Sequence, residues 1–157
     1  KDFQLTDHNG KARSLADFKG KVVVLFFGYT HCPDACPTTL AELALVMKQL
    51  GADSKKVQVL FVTVDPERDT PRLLAQYVPS FDPGFVGLYG DLDATARTAN
   101  EFKVVYQKVA GSSPDNYTMD HSAGTYVFDQ AGRLRLYVSY GQGATVLLHD
   151  IRILLNT

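Results

Sequence analysis

The apolar residues of this chain fall into two kinds of run. Lys21–Phe27 and Val57–Val64 are apolar and β-branched almost throughout, the pattern of strands buried on both faces. Between them, Leu40, Leu43, Ala44, Met47 and Leu50 recur at helical spacing, which predicts a helix opened near Pro37 and closed at Gly51. Thr70-Pro71 reads as an N-cap followed by proline at the first helical position, with the helix ending before Pro79. Phe85–Tyr89 is a short strand, and Asp91 or Asp93 caps a helix running to about Phe102. Val104–Val109 is extended, whereas Ala110–Asp120 lacks any hydrophobic period and reads as a loop. Gly124–Phe128 and Arg133–Tyr140 flank the turn Asp129-Gln130-Ala131-Gly132, and Ala144–Leu155 closes as a helix. At the start, Asp7-His8-Asn9-Gly10 separates two short extended segments and predicts an N-terminal β-hairpin.

Strands alternating with helices imply a parallel core, and a terminal hairpin adds antiparallel strands. The expected fold is α/β: a thioredoxin-like mixed sheet with central parallel strands, flanked by helices and preceded by a β-hairpin. At 157 residues, one domain spanning 1–157 is expected. A net charge of −1 with no basic run removes the electrostatic case for nucleic acid. The longest unbroken apolar run, Val22–Phe27, is far shorter than a membrane span.

The chemistry concentrates in Thr30-His31-Cys32-Pro33-Asp34-Ala35-Cys36-Pro37, which holds the only two cysteines of the chain. They lie where a strand gives way to a helix, and a helix N-terminus favours thiolate over thiol. A bridge between Cys32 and Cys36 would close so short a loop that chain entropy yields only about 2 kcal/mol, so the pair is not a structural staple. If the strands are parallel, this loop and Asp65-Pro66-Glu67-Arg68-Asp69 open at one sheet edge, the usual ligand edge of α/β folds. If strand Gly124–Phe128 is antiparallel, His121 joins them. Two thiolates and an imidazole suit Cu(I) or Cu(II), whereas zinc wants a fourth ligand, for which Asp34 or His31 are the candidates. A redox-active dithiol without metal is the competing reading.

Three motifs in order, Gly28-Tyr29-Thr30-His31-Cys32-Pro33-Asp34-Ala35-Cys36-Pro37-Thr38-Thr39-Leu40, Val64-Asp65-Pro66-Glu67-Arg68-Asp69-Thr70-Pro71 and Asp120-His121-Ser122-Ala123, resemble those of the Sco/SenC family across nearly the whole chain. The resemblance implies a monomeric copper metallochaperone that assembles the CuA site of cytochrome c oxidase subunit II, or keeps its cysteines reduced. It implies copper ligation by Cys32, Cys36 and His121. It also implies an N-terminal anchor outside this sequence, at the periplasmic face of the bacterial inner membrane or in the mitochondrial intermembrane space. A second copper chaperone or a thioredoxin-like reductant is the further partner expected. The alternatives are a thiol–disulfide oxidoreductase, with Cys32 and Cys36 as its catalytic pair and the only enzymatic role in view, and a redox or copper sensor.

The neighbouring residues carry supporting expectations. Asp34 forms an Asx turn or tunes the charge of a bound metal. Asp65, Arg68 and Asp69 organise the loop edge through an ion pair and cap. His31 is an exposed loop residue whose positive form would lower a thiol pKa. His8 and His149 are ordinary surface or packed histidines. Thioredoxin-type Trp-Cys-x-x-Cys is absent, since the chain has no Trp and spaces its cysteines one residue wider. The peroxiredoxin pattern fails too, because Pro33 stands where Thr is wanted three residues before Cys36.

Overall fold

The computed structural model describes residues 2–31, 35–113, 116–121, 124–139 and 143–156, with backbone alone at 35, 36, 112, 113 and 116–121. The N-terminal hairpin pairs β1 (Leu5–Asp7) with β2 (Ala12–Arg13). Then come β3 (Val22–Gly28), α1 (Ala35–Leu50), β4 (Val57–Thr63), α2 (Pro71–Tyr77), β5 (Val86–Tyr89) and α3 (Leu92–Glu101). A hairpin of β6 (Tyr106–Ser113) and β7 (Asn116–His121) follows, and β8 (Gly124–Phe128), β9 (Leu134–Ser139) and α4 (Ala144–Leu155) complete the chain.

A seven-stranded sheet has the order β2-β1-β5-β4-β3-β8-β9. β3 runs parallel to β4, and β4 to β5, while β8 is antiparallel to β3 and β9 to β8. This is the mixed, thioredoxin-like sheet expected. Because β3 and β4 lie at its centre, every residue of both is buried. Their side chains alternate between two cores. Val22, Val24, Phe26, Val59 and Phe61 pack with Leu40, Leu43, Leu74, Leu147 and Ile151, so α1, α2 and α4 cover one face. Val23, Leu25, Phe27, Leu60 and Val62 pack with Phe3, Leu15, Ala99 and Phe102, so α3 and the N-terminal segment cover the other.

The local signals act where the sequence put them. Thr70 Oγ1 accepts from Leu73 N at 3.2 Å ahead of Pro71, and Asp91 Oδ1 accepts from Ala94 N at 2.7 Å. Asp91, rather than Asp93, is therefore the cap. Gly51 closes α1 with φ +62°, a conformation costly for any side chain. α1 begins two residues before Pro37, at Ala35, and short 3₁₀ turns at Leu15–Phe18, Gly51–Lys56 and Val78–Ser80 extend past the expected boundaries.

One expectation is overturned. Ala110–Asp120 is not a loop: β6 and β7 form a two-stranded ribbon that pairs Tyr106 with His121 and Val109 with Thr118. Its register shifts between Val109 and Ser113, and the outer residues of β6, Gln107–Gly111, are exposed. A ribbon solvated in this way needs no apolar alternation, because backbone pairing holds it. His121 accordingly ends a strand instead of sitting in a loop.

Candidate metal and thiol site

The parallel register places Gly28 beside Thr63, and Val64 N donates to Gly28 O at 2.8 Å, so β3 and β4 end together. Phe26 pairs with Thr125 in antiparallel sense, which brings the start of β8 to the same edge. The segment after β3, the loop after β4 and the start of β8 therefore lie at one edge. Cys32 and Asp34 lie outside the described residues, as do the side chains of Cys36, Tyr117, Met119 and His121. Among the described side chains, no three His, Cys, Asp or Glu residues cluster as a metal site. The backbone does place Cys36 in the first turn of α1.

Beneath this edge lies a network that holds its loops in place. Asp69 is 1% exposed, and its carboxylate accepts from three donors: Thr30 N at 3.0 Å, Thr30 Oγ1 at 2.7 Å and Thr63 Oγ1 at 2.6 Å. Thr63 Oγ1 in turn accepts from Asp65 N at 3.0 Å. Burial pushes the Asp69 carboxyl up from its ordinary value, against the downward pull of the Thr30 and Thr63 donors, and the nearby Asp65 charge adds to the rise. Asp65 takes Arg68 Nε on Oδ2 at 2.6 Å, and the Arg68 guanidinium stands 5.7 Å from the centroid of the buried Tyr29 ring. The tip of the β4–α2 loop is tied to β6 by Lys108 Nζ, 3.3 Å from Glu67 Oε1. A cleft of about 170 Å³ lies between this loop and β6, lined by Val64, Asp65, Pro66, Leu92 and Tyr106 among others. Tyr106 is the residue paired with His121.

The expected roles of Arg68 and Asp69 thus divide. Arg68 makes the ion pair, with Asp65, and Thr70 rather than Asp69 caps α2. Asp69 turns inward and joins β4 to the segment entering the cysteine loop. Sequence reading missed Thr30 and Thr63 as its partners. Thr30 and Asp69 are 39 residues apart, and only the side-by-side register of β3 and β4 brings them together. His31 is half-exposed, with Nδ1 3.3 Å from Thr30 Oγ1 and 3.9 Å from Asp69 Oδ1. His8 is packed, its Nδ1 accepting from Gly87 N at 3.0 Å, and His149 is an exposed residue of α4.

Among the described residues no helix is long and apolar enough to cross a membrane. Comparison with known proteins gives a consistent result over the whole length. The SCO1/SenC family model matches residues 1–156. The mitochondrial SCO2 homolog of Bos taurus is 40% identical over 153 residues, covering 96% of this chain and 58% of its own length. This chain therefore spans little more than half of that relative. A SCO2-like protein of Rickettsia felis is 38% identical over 133 residues, or 84% of this chain and 65% of that protein. Among solved structures, copper-bound ScoI of Bradyrhizobium japonicum superposes with a TM-score of 0.89 at 42% identity, over 98% of both chains. Yeast Sco1 with copper bound gives 0.90 at 28% identity, over 100% of this chain and 88% of that one. The shared sheet topology, the motif order and the family match over residues 1–156 lead to one conclusion: the chain belongs to the SCO1/SenC family.

Proposed function

We propose that this chain is a single thioredoxin-like domain that carries copper for cytochrome c oxidase assembly, holding it through Cys32, Cys36 and His121. The observation that carries the reading is topological. β3 and β4 end together at Gly28 and Thr63, and β8, antiparallel to β3, starts at that same edge. That register supports a reading in which Cys32, Cys36 and His121 are gathered from segments far apart in sequence. The donor set fits the cargo. Two thiolates and one imidazole match the low coordination number of Cu(I) and the nitrogen–sulfur preference of Cu(II). The copper-bound relatives of Bradyrhizobium japonicum and yeast support the same cargo.

On this reading, the receiver is the CuA site of oxidase subunit II, and the full-length protein works anchored at the periplasmic face of the inner membrane as a monomer. Asp65, Arg68 and Asp69 hold the loops that present the ligands, and Asp34 adjusts the charge near the metal. Titration of the reduced chain with Cu(I) and Cu(II) tests the assignment. One tight copper per chain is expected, with most of the affinity lost in Cys32→Ser or Cys36→Ser. His121→Ala is expected to damage Cu(II) binding more than Cu(I), because two thiolates alone hold Cu(I) linearly. Copper binding that survives loss of both cysteines refutes the ligand set.

A second reading is favoured by the position of Cys36 in the first turn of α1, which suits thiol exchange as well as metal binding. In it the pair reduces the cysteines of the target site and carries no metal. The two readings separate at His121. Normal copper loading of subunit II in cells carrying His121→Ala, alongside failure with Cys36→Ser, selects the reductase.

A further inference from the structure

The two ends of the main sheet differ in charge, and the end away from the cysteine loop is basic. Val22 pairs with Val57, so β3 and β4 begin side by side, directly after Lys21 and Lys56. β8 closes there too, since Phe128 pairs with Val23, and Gly20 N donates to Gln130 O at 2.9 Å in the turn that leads to Arg133. Gln130 Nε2 donates to Leu155 O at 3.3 Å, and Arg152 Nη2 to Gln49 O at 3.5 Å, so α4 and α1 end beside that turn with Arg152 and Lys48. Lys19, Lys48, Lys55, Lys56, Arg133 and Arg152 are exposed, and Lys21 is half-buried. Fewer acids stand among them. Asp129 is buried and shared by Arg133 and Arg135, Asp53 lies 3.9 Å from Lys56 Nζ, and Asp17 and Asp82 accept from Ser14 N and Gly84 N.

The chain carries −1 in all, so an excess of basic charge here means an excess of acid elsewhere. Exposed Glu67, Asp91 and Asp93 follow the ends of the parallel strands β4 and β5, at the site edge. The two ends are the length of a strand apart, about 20 Å, beyond the screening length of about 8 Å at physiological salt. They therefore act on their surroundings separately. The basic end is mostly lysine, a compact charge on a flexible stem, supplied by several elements in no fixed fork. Such a set suits a fluid anionic surface, whose headgroups move to meet it, better than an acidic protein, which rewards fixed bidentate geometry. We propose that this end docks on an anionic phospholipid surface and turns the site edge toward water. The docking stands apart from the copper reading; on that reading, the orientation leaves the cargo open to a partner.

Sedimentation of the full chain with vesicles tests this. Binding is expected to mixed phosphatidylcholine–phosphatidylglycerol vesicles at low salt, and is lost with phosphatidylcholine alone or at about 0.5 M salt. Lys55→Gln/Lys56→Gln is expected to weaken partitioning about twentyfold, roughly fivefold for each cation taken from the surface. Arg72→Gln/Lys103→Gln removes the same charge in the first turn of α2 and after α3, and is expected to change partitioning by less than about twofold. Lipid carrying a headgroup nitroxide is expected to broaden the amide signals of Lys21, Lys56 and Ala131 and to spare Thr63 and Leu92. Equal loss in the two double variants, or broadening that reaches Leu92 before Lys56, overturns the proposal. So does polyglutamate that binds more tightly than the vesicles at equal charge concentration, which assigns this end to an acidic protein. Copper uptake without vesicle binding refutes this inference alone, whereas vesicle binding by a chain that takes up no copper refutes only the functional reading.

Discussion

The buried carboxylates Asp7, Asp129 and Asp69 organise loops, but at two kinds of place. At the hairpin ends, Asp7 accepts from Asn9 N, Lys11 N and Arg13 Nε, and Asp129 from Ala131 N, Arg133 N, Arg133 Nε and Arg135 Nη1, all within 3.2 Å. For both, burial raises the pKa, but the arginine and backbone donors outweigh it and the net value is lowered. At the site edge, Asp69 is as deeply buried, yet its donors are one backbone N–H and two neutral hydroxyls, and its pKa is raised. The hairpin ends bind a carboxylate for stability. The site edge holds one at a cost, and its hydroxyl and backbone donors tie the segment after β3 to the end of β4.

The largest effect belongs to the hairpin turn. Asp129→Ala strips two backbone N–H groups and two guanidinium groups of their acceptor and is expected to cost about 3 kcal/mol in denaturant unfolding. An Asp129→Ala chain as stable as wild type removes the distinction between the hairpin ends and the site edge.

The pH dependence comes next, and its sign separates the two places. Asp7 and Asp129 have folded pKa values below the ordinary carboxylate value of 3.8, so their contribution is complete above 3.8 and is lost as pH falls through the folded values. Asp69 has a folded value above 3.8, so the folded state binds its proton more tightly and stability falls as pH rises from 3.8 through that value. Unfolding free energies across the acid range are therefore expected to fall less steeply toward low pH in Asp129→Asn. In Asp69→Asn the fall is expected to steepen, since the opposing contribution is gone.

At neutral pH, Asp69→Asn is expected to change stability by no more than about 1 kcal/mol, because removal of a buried charge offsets a weakened hydrogen bond. Thr63→Val, which removes a donor and leaves Asp65 N unpartnered by that hydroxyl, is expected to cost about 1 kcal/mol in the same assay.

The smallest effect concerns His8. Burial lowers its pKa below 6.5, against the pull of Asp7, and the neutral ring accepts from Gly87 N. The stability it contributes is complete above 6.5 and declines as pH falls toward the folded value. His8→Asn is expected to flatten that shallow decline in thermal unfolding, by a few tenths of a kcal/mol.

Much of this molecule could be read residue by residue. The Thr70-Pro71 start of α2, the Asp91 cap, the Gly51 stop and the full extent of α4 act within one helical turn, so each is written where it operates. The apolar runs of β3 and β4 likewise announce central strands, because a strand covered on both faces has no polar side. That β8 starts at the edge where β3 and β4 end was legible only as a condition on strand direction, which the antiparallel pairing of β8 with β3 meets. The ribbon of β6 and β7 left no trace in the hydrophobic pattern, since backbone hydrogen bonds hold it without one-sided burial. Nor could Asp69 be joined to Thr30 and Thr63 in advance. A carboxylate in a run of charged residues looks solvated until the register of two neighbouring strands buries it beneath the loop it holds.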